Sequence, residues 1–403
     1  MVRNLAIKKL SEKDLKKAGE LAYYCFGQGE DPWPEDEVKQ YNETLNLEYC
    51  LGYFDEDELV STWYVFPWEI FIRGSVLKFG AVADVTTQPE YRRKGQIREL
   101  FIYSLKQMKE NGIIFSGLYP FKFSYYEMFG YEICTESKML NTNPKEIILP
   151  NDFQLLKVKE INKEESFEKL NDIRNQVGRK YSFLKLTDKK TWNVRKFNKK
   201  DKIIGVFDSN SNLVGYMIYH LKKLPAGDWN IAIIFREIIT LTRDSFYTVL
   251  SYIKKHTDQI IEFHWPLLSN ELTFSNFYEK YNVKIETKPQ VMFRVVDVEK
   301  VLEAINYQKE IDTSITLEIT DKYAEWNNTT FEVSIKNGKA SVERKPIKEA
   351  DLFMDINSFT QLFSGYMSIN QLQYMSKIKV KEEKISIINE LFPTTPTRVL
   401  THF

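Results

Sequence analysis

The segment from Val85 to Ile97 combines residue types that bind anions at the start of a helix. It reads VTTQPEYRRKGQI. Arg92 and Arg93 supply positive charge, and Gly95 lets the backbone approach a ligand closely. Since the first N–H groups of a helix have no partner within it and its dipole is positive there, this arrangement suits a pyrophosphate. On spacing alone, a solvated basic loop in front of a surface helix is the alternative.

A second group of candidates is acidic and aromatic. Four acidic residues surround Trp33, and they are Glu30, Asp31, Glu35 and Asp36. Asp84 lies directly before the basic segment. An amine cation would find both a counter-charge and a ring face there. Trp33 and Asp84 are therefore candidates for binding an acceptor, and solvated loop residues are the alternative.

The composition indicates an ordinary globular protein. The chain has 403 residues, 43% of them hydrophobic, and its 56 basic residues balance 56 acidic ones. This length predicts two or three domains, and the zero net charge argues against nucleic acid and anionic membranes as partners. Its three cysteines, the lack of a secretory signal and the lack of a membrane span lead us to expect a cytoplasmic protein. Four histidines without ligand spacing predict no metal.

The elements around the basic segment alternate between strands and helices. Ser11 resembles a helix cap, and apolar residues from Leu15 to Cys25 recur at helical spacing. Two β-rich runs between Tyr49 and Phe66 predict a hairpin, a third run covers Trp68–Leu77, and Phe79–Thr87 forms a further strand. A helix from Ile97 to Met108, closed by Gly112, and a strand over Ile113–Leu118 follow.

The chain repeats part of this pattern. Gly52–Asp55 followed by Leu59–Val60 reappears as Gly205–Asp208 followed by Leu213–Val214. A strand near 231–241, a helix near 244–256 and a strand near 260–265 then follow in the same order. We interpret this as a duplication, with chance similarity of two hairpins as the alternative. Thr242 leads straight into the second helix without the arginine and glycine, so the second copy is predicted to lack the anion site.

The last part of the chain has a different pattern. Asp297 caps a short helix, and three β-rich runs with an Asn337–Gly338 turn follow. They cover Ile315–Ile319, Thr330–Ile335 and Lys339–Arg344. Helical runs at 357–363 and 369–375 complete an α+β domain.

The spacing Arg92-x-x-Gly95-x-Ile97 after a strand resembles the acyl-CoA signature of the GNAT acetyltransferase superfamily, with Ile97 in place of its last small residue. Over its whole length the chain resembles the enhanced intracellular survival (Eis) family. That resemblance implies a mixed α+β protein with two tandem GNAT folds and a C-terminal sterol-carrier-like domain. The implied domains are a catalytic GNAT domain (1–147), a GNAT-like domain without the cofactor motif (148–289) and a sterol-carrier-like domain (290–403).

The resemblance also implies roles for the basic segment. The backbone of Val85 and Thr87 would pair with the pantetheine arm of acetyl-CoA as an added strand. The residues expected to hold the phosphates are Arg92, Arg93, Gly95, Gln96 and Ile97.

Two further residues are assigned through the family. The stretch Tyr126-x-x-Phe129-Gly130-Tyr131 is similar to a family signature that places the general acid on Tyr126. A core aromatic is the alternative for Tyr126, and Tyr125 is its local competitor. The family's general base is a free C-terminal carboxylate, here that of Phe403, which the third domain would deliver; a frayed tail is the alternative. His402 would then lie in the acceptor pocket.

These expectations describe an acetyl-CoA-dependent N-acetyltransferase acting on a cationic small molecule or on lysine. His402 stands where some relatives carry an acidic residue, which disfavours polyvalent aminoglycosides as acceptors. The resemblance implies a homo-oligomer, with hexamers among its relatives. A non-catalytic sensor or carrier of acyl-CoA or lipid is the main alternative, followed by a structural scaffold.

Overall fold

The computed structural model describes residues 5–27, 34–162, 167–187, 189, 200–225, 230–267, 283–345 and 349–399. The chain divides into two compact units. The first comprises the chain up to Cys134 together with Val291–Thr394, and the second comprises Thr135–Gln290 with the segment from Thr395. No helix among the described residues is both long and apolar enough to cross a membrane.

The strands, in chain order, are β1 (Leu5–Lys9), β2 (Cys50–Asp55), β3 (Glu58–Ile72), β4 (Ser75–Thr87), β5 (Phe115–Leu118), β6 (Glu132–Ile133), β7 (Glu136–Thr142), β8 (Lys157–Glu160), β9 (Lys202–Phe207), β10 (Leu213–Lys223), β11 (Ile231–Thr240), β12 (Glu262–Leu267), β13 (Lys284–Pro289), β14 (Met292–Val295), β15 (Thr313–Thr320), β16 (Thr329–Lys336), β17 (Lys339–Arg344), β18 (Leu352–Asp355) and β19 (Ile378–Val380). The α-helices are α1 (Leu15–Phe26), α2 (Glu35–Thr44), α3 (Gln96–Glu110), α4 (Phe123–Glu127), α5 (Phe167–Gly178), α6 (Arg243–Lys254), α7 (Val298–Ala304), α8 (Ile356–Ser364), α9 (Ile369–Tyr374) and α10 (Ile385–Leu391).

The first unit contains a mixed sheet with the strand order β1-β2-β3-β4-β5-β14-β6. Strands β1 to β4 are antiparallel neighbours, β4 and β5 are parallel, and β14 runs antiparallel to β5 and β6. Helix α3 presents Leu100, Phe101 and Leu105 to the core beside Trp63, and all four side chains are fully buried. The apolar periodicity of the sequence therefore identified α3 correctly.

One predicted strand is wrong. The β-rich run Trp68–Leu77 does not form a strand of its own, because β3 continues to Ile72 and β4 begins at Ser75. The chain turns at Arg73 and Gly74, whose φ angles are 50° and 79°. Glycine adopts positive φ without steric cost, so this Gly marks the turn that the β-rich composition concealed.

The second unit repeats the first sheet's arrangement, with the order β8-β9-β10-β11-β12-β7-β13. Its parallel step again falls between the fourth and fifth strands, β11 and β12. The sixth place is taken by β7 here and by β14 in the first sheet. The two sheets thus share one arrangement, which supports the duplication, and the strand that fills the sixth place of each comes from a distant part of the chain.

The glycines of the sequence repeat occupy matching positions. A Cβ atom on Gly52 would lie 2.5 Å from Leu10 Cδ2, and one on Gly205 would lie 2.4 Å from Ile161 Cδ1. In both copies the apolar side chain crossing over the glycine comes from just after the first strand of the sheet. A side chain at either glycine would force these neighbours to shift, which accounts for the shared residue and supports the duplication.

The C-terminal domain contributes a third sheet, with the order β17-β16-β15-β18-β19. Asn337 and Gly338 connect β16 to β17 with φ angles of 52° and 76°, as the predicted hairpin turn requires. Within the first unit, α8 packs on the first sheet, where Thr360 Oγ1 accepts a 3.1 Å hydrogen bond from Val295 N. This domain is therefore built onto the sheet that carries the candidate site.

Candidate active site

Strand β4 has an edge that another chain can join. Parallel pairing with β5 runs from Phe79 to Val82, where β5 ends at Leu118. Beyond Val82, pairing among the described strands continues on the β3 side alone, as far as Thr87. The backbone from residue 83 to 87, including Val85, is therefore positioned to accept an extended, amide-containing ligand as an added strand.

Asp84 forms a bulge in this edge. Its φ angle is 48°, and the register against β3 shifts between Thr62 and Tyr64. The hydroxyl of Thr62 donates to Asp84 O at 2.6 Å, and the hydroxyl of Tyr41 on α2 donates to Asp84 Oδ2. A bulge redirects side chains, and the carboxylate of Asp84 lines a pocket beside the strand.

The turn after β4 opens toward the start of α3. Gly95 is the N-cap residue with a φ angle of 95°, and no side chain caps the helix there. A Cβ atom on Gly95 would meet nothing within 4 Å, so the space in front of the first helical N–H groups is open. Arg92 and Arg93 are both exposed at this turn, and Arg92 Nε donates to Thr87 O at 3.2 Å. Uncapped donors and two guanidinium groups fit the pyrophosphate of a coenzyme A thioester.

The equivalent helix of the second unit is closed to such a ligand. Thr242 caps α6 by accepting a 3.1 Å hydrogen bond from Ser245 N, and the Ser245 hydroxyl reaches back to the N-cap backbone. Arg243 pairs with Asp152 at 2.7 Å. The N–H group of Ser245 and the charge of Arg243 are thus used internally.

A pocket of about 620 Å³ lies beside the free edge of β4 in the first unit. Helix α1 contributes small and apolar residues to its wall, among them Ala18, Gly19 and Ala22. Asp84 and Val85 lie on the β4 side, and Tyr126 also lines the pocket. The end of the proposed cofactor strand, a carboxylate and a phenol therefore share one cavity.

The corresponding helix of the second unit, α5, carries a large charged residue instead. Arg174 is fully buried, with Nε 3.4 Å from Glu237 Oε1 and NH1 2.9 Å from Lys185 O. The hydroxyl of Tyr216 donates to the same Glu237 carboxylate. A buried polar network thus fills the side of the second sheet where the first unit has small residues.

Tyr126 lies on the short helix α4 and is 3% exposed. Rings of Phe121 and Tyr125 surround it, with centroids 5.5 Å and 5.2 Å away. Burial raises the pKa of the Tyr126 phenol, and the neighbouring Tyr125 adds to the effect. Within the described part of the chain its hydroxyl has no hydrogen-bond partner. Tyr126 is therefore a buried phenol that lines the pocket and has its hydroxyl group available as a donor.

A buried ion pair holds the turn that follows Tyr126. Arg294 on β14 donates from NH2 to both carboxylate oxygens of Asp321, at 2.8 Å and 2.7 Å, and from NH1 to Phe129 O at 2.7 Å. Gly130 has a φ angle of 81°, and a Cβ atom there would lie 1.6 Å from Arg294 NH1. The glycine of the Tyr-x-x-Phe-Gly-Tyr stretch thus makes room for the guanidinium group.

The residues predicted from sequence fall into three groups. One set shares the β4–α3 connection and comprises Val85, Thr87, Arg92, Arg93, Gly95, Gln96 and Ile97. Asp84 and Tyr126 line the adjacent pocket. Trp33, His402 and Phe403 lie outside the described residues, as do Glu30 and Asp31.

Tyr41 and Phe121 are among the pocket residues that the sequence analysis missed. Tyr41 comes from α2, a mostly polar helix with Val38 as its apolar neighbour one turn away. Phe121 lies in the loop before α4 and is 72% exposed. The position of Tyr41 as an aromatic residue in an otherwise polar helix could have identified it as a candidate site residue. Among the described residues, no group of three or more His, Cys, Asp or Glu is arranged to hold a metal.

Comparison with known proteins identifies two domains of the chain. A family model of the acetyltransferase (GNAT) domain matches residues 6–134, and one of the sterol carrier protein domain matches residues 298–400. No curated protein matches the chain. A GCN5-related N-acetyltransferase from Anabaena variabilis is similar in structure with a TM-score of 0.87 at 20% identity, covering 99% of this chain and 100% of its own. The chain thus carries a GNAT acetyltransferase domain followed by a sterol carrier protein domain.

Two further solved structures share the complete architecture. One is a conserved protein of unknown function from Enterococcus faecalis, described as a probable N-acyltransferase, with a TM-score of 0.86 at 20% identity, covering 99% of this chain and 100% of its own. The other is Eis1 from Mycobacterium abscessus, with a TM-score of 0.81 at 17% identity and the same coverage. The resemblance to the Eis family is confirmed as a likeness of fold along the whole chain.

Proposed function

We propose that this protein is an acetyl-CoA-dependent N-acetyltransferase that acts on a primary amine of a cationic small molecule or of a lysine side chain. The observation that carries the proposal is the meeting of three features in the first unit. The free edge of β4 leads into the uncapped start of α3, and the same edge borders the pocket that contains Asp84 and Tyr126.

The proposed cofactor residues divide the binding of acetyl-CoA between them. The backbone of Val85 and Thr87 pairs with the pantetheine arm, while Arg92, Arg93 and the turn at Gly95 bind the phosphates. Gln96 and Ile97 supply first-turn N–H groups to the same anion. When bound, acetyl-CoA supplies an activated acetyl thioester, and the products are an amide and a free thiol.

Tyr126 is proposed to act at the sulfur atom. Its raised pKa keeps the proton on the phenol at neutral pH. Because that pKa lies above the value of about 8.5 for a thiol, Tyr126 stabilises the departing sulfur mainly as a hydrogen-bond donor while negative charge develops. As the proposed general acid, Tyr126 shares its proton with the sulfur in the transition state, and solvent supplies the proton of the final thiol.

Three residues are proposed to bind the acceptor, and a fourth is proposed as the base. Asp84 is proposed to bind the ammonium group of the acceptor, which its place in the pocket supports. Trp33 and His402, proposed in the same role, rest on the sequence alone. The base that removes the amine proton is proposed, from the family resemblance, to be the terminal carboxylate of Phe403.

The proposed domain roles follow from the difference between the starts of α3 and α6. We propose residues 1–147 as the catalytic domain, 148–289 as a GNAT-like domain without a cofactor, and 290–403 as the domain that delivers the terminal carboxylate. The capped start of α6, against the uncapped start of α3, supports a single cofactor site. A homo-oligomer, such as a hexamer, and a cytoplasmic location remain predictions; light scattering during size-exclusion chromatography tests the first.

The test is release of free thiol from acetyl-CoA in the presence of a panel of amines. Tyr126→Phe should lower kcat by about 10²–10⁴-fold, a range usual for general acid catalysis, while the Kd of acetyl-CoA stays within twofold. Tyr125→Phe is the matched control and should retain most activity. A folded wild-type protein that releases no thiol with any amine, or a Tyr126→Phe variant with full kcat, contradicts the proposal.

The base is tested separately. Adding one residue after Phe403 should reduce kcat strongly without changing the affinity for acetyl-CoA. Full activity of that extended chain removes the terminal carboxylate from the mechanism and leaves the cofactor site unaffected.

A further inference from the structure

The second sheet opens between the same two strand positions as the first. Parallel pairing of β11 with β12 runs from Ala232 to Ile234, after which β11 continues to Thr240 and β12 continues to Leu267 beside β7. In the first sheet, the pairing of β4 with β5 ends in the same way at Val82. The β11–β12 opening therefore corresponds to the edge of β4 that is proposed to bind the pantetheine arm.

Residues 397–399, close to the C-terminus, lie at the β11–β12 opening. Thr397, Arg398 and Val399 form one wall of a cavity of about 170 Å³. The other walls come from the ends of the separated strands, among them Phe235 of β11 and Leu267 of β12, and from β7. All of these residues belong to the second unit. The chain's own C-terminal segment thus borders the opening of this sheet.

Main-chain hydrogen bonds hold this segment. Ser182 N donates to Pro396 O at 2.8 Å, and Arg398 N donates to Ser182 O at 2.9 Å. Thr397 thereby forms a parallel bridge with Ser182, and Ser182, Thr397 and Arg398 are each no more than 5% exposed. Buried main-chain pairing of this kind is how proteins bind an extended peptide. Residues 396–398 are therefore bound as part of the second unit.

The side chain of Arg398 acts on the buried network of the second unit. Burial raises the pKa of the Tyr216 phenol well above its usual value, and the positive charges of Arg174 and Arg398 oppose part of that rise. The Tyr216 hydroxyl donates to Glu237, and Arg174 pairs with the same carboxylate. The guanidinium group of Arg398 is thus within electrostatic range of this network, which adds a charged contact to the main-chain bonds.

We propose that the second unit uses its β11–β12 opening to bind residues 396–399 of its own chain instead of a coenzyme, and that Arg398 positions the terminal carboxylate. Phe403 follows Val399 by four residues, so the covalent chain keeps their Cα atoms within about 14 Å of each other. The catalytic part of this inference rests on the proposed function, because the carboxylate of Phe403 is the proposed base.

Hydrogen exchange of the full-length protein, resolved to single amides by mass spectrometry, tests the binding of this segment without any activity. The amides of Ser182 and Arg398 should exchange slowly in wild type, since each donates a buried main-chain hydrogen bond. Arg398→Ala should speed the exchange of both amides by at least about tenfold. Fast exchange of both amides in wild type overturns the inference.

The matched control is Arg243→Ala, which removes an exposed arginine that pairs with Asp152 in the same unit. It should leave the exchange of the Ser182 and Arg398 amides within about twofold of wild type, because surface ion pairs contribute little to stability. Equal effects of Arg243→Ala and Arg398→Ala overturn the inference. If Arg398→Ala does not fold, Thr397→Ala replaces it, since Thr397 is buried in the same bridge.

Thiol release tests the positioning role. Arg398→Ala should lower kcat by at least about tenfold while the Kd of acetyl-CoA stays within about twofold, and Arg398→Lys, which keeps the charge, should recover part of kcat. In a chain extended by one residue after Phe403, Arg398→Ala should change kcat by less than about twofold, because the proposed base is already displaced. An equal loss in both chains, or full kcat in the extended chain, overturns the positioning role.

The two measurements separate this inference from the proposed function. If wild-type protein releases no thiol with any amine, the proposed function fails. Slow exchange at Ser182 and Arg398 that Arg398→Ala abolishes then still supports binding of the segment by the second unit. If thiol release depends on Tyr126 but both amides exchange fast in wild type, the proposed function stands and this inference fails.

Discussion

Removing one partner of the Arg294–Asp321 pair should destabilise the first unit strongly. Both side chains are fully buried, and Asp321 also accepts hydrogen bonds from Tyr323 N at 3.1 Å and Ala324 N at 3.2 Å. In Asp321→Asn the amide oxygen can keep these two bonds. The guanidinium group of Arg294 retains Phe129 O but loses its counter-charge in a site without water contact.

The expected cost of Asp321→Asn is about 3–5 kcal/mol, the range for breaking a buried ion pair from one side. Hydrogen exchange of the β14 and β15 amides, followed by mass spectrometry, measures the opening free energy of this region directly. The control is Glu299→Gln. Glu299 pairs with Arg344 at 2.9 Å near the surface, with side-chain exposures of 25% and 42%, so its loss should cost no more than about 1 kcal/mol.

The double variant Arg294→Met with Asp321→Asn removes both charges, so it should be less destabilised than the sum of the two single variants. Since Arg294 also holds Phe129 O, kcat should fall in Asp321→Asn while the Kd of acetyl-CoA remains unchanged. If the opening free energy of this region is as high in Asp321→Asn as in Glu299→Gln, the Arg294–Asp321 pair does not hold this turn.

Three other substitutions or conditions test separate parts of the structure. Gly95→Ala places a side chain at φ 95° in front of α3, so calorimetry should find acetyl-CoA binding weakened by about tenfold; Gly112→Ala, at φ 69° just beyond the other end of the helix, should cost stability but not affinity. Burial raises the pKa of Tyr131 to about 12, above the unfolded value of about 10. Its contribution to stability is therefore complete below pH 10 and is lost as the pH rises toward 12, so denaturant midpoints should fall over that interval; constant midpoints contradict it. Gly52→Ala brings a methyl group within 2.5 Å of Leu10 Cδ2 and should cost about 1–3 kcal/mol in thermal unfolding; an unchanged melting temperature would show that Leu10 yields freely.

Local signals in the sequence predicted much of the fold. The apolar spacing from Ile97 to Met108 with Gly112 beyond it identified α3, which ends at Glu110. Asn337 and Gly338 identified the β16–β17 turn, because this pair adopts positive φ readily. In each case the physical cause lies within a few residues of the element.

Features that depend on distant parts of the chain could not be predicted. Nothing in the sequence of β14 indicates that it lies between β5 and β6. Arg294 interrupts an apolar strand and thereby signals a buried partner, but the identity of Asp321 as that partner depends on how the C-terminal part of the chain folds against β14. Helix α2 was missed because Val38 and Tyr41 are too few apolar residues to mark a helical face.

The candidate site divides in the same way. The sequence located the turn from Arg92 to Gly95, since charge and glycine at the start of a helix are local features. The free edge of β4 was implied only by the family resemblance and not by the residues themselves, because it arises from β5 ending opposite Val82. In the sequence, the helix of the second unit differs from α3 by a missing arginine and glycine motif. The structure adds a physical reason, because the start of α6 is capped.

A crystal structure of the protein with bound acetyl-CoA tests the central claim most directly. We expect the pyrophosphate at the uncapped start of α3, beside Arg92 and Gly95, with the pantetheine arm paired along β4 at Val85. The thioester sulfur should lie within hydrogen-bond distance of the Tyr126 hydroxyl. Density for the coenzyme at α6 or at the C-terminal domain, or a sulfur atom separated from Tyr126 by more than one bridging water, would contradict the account.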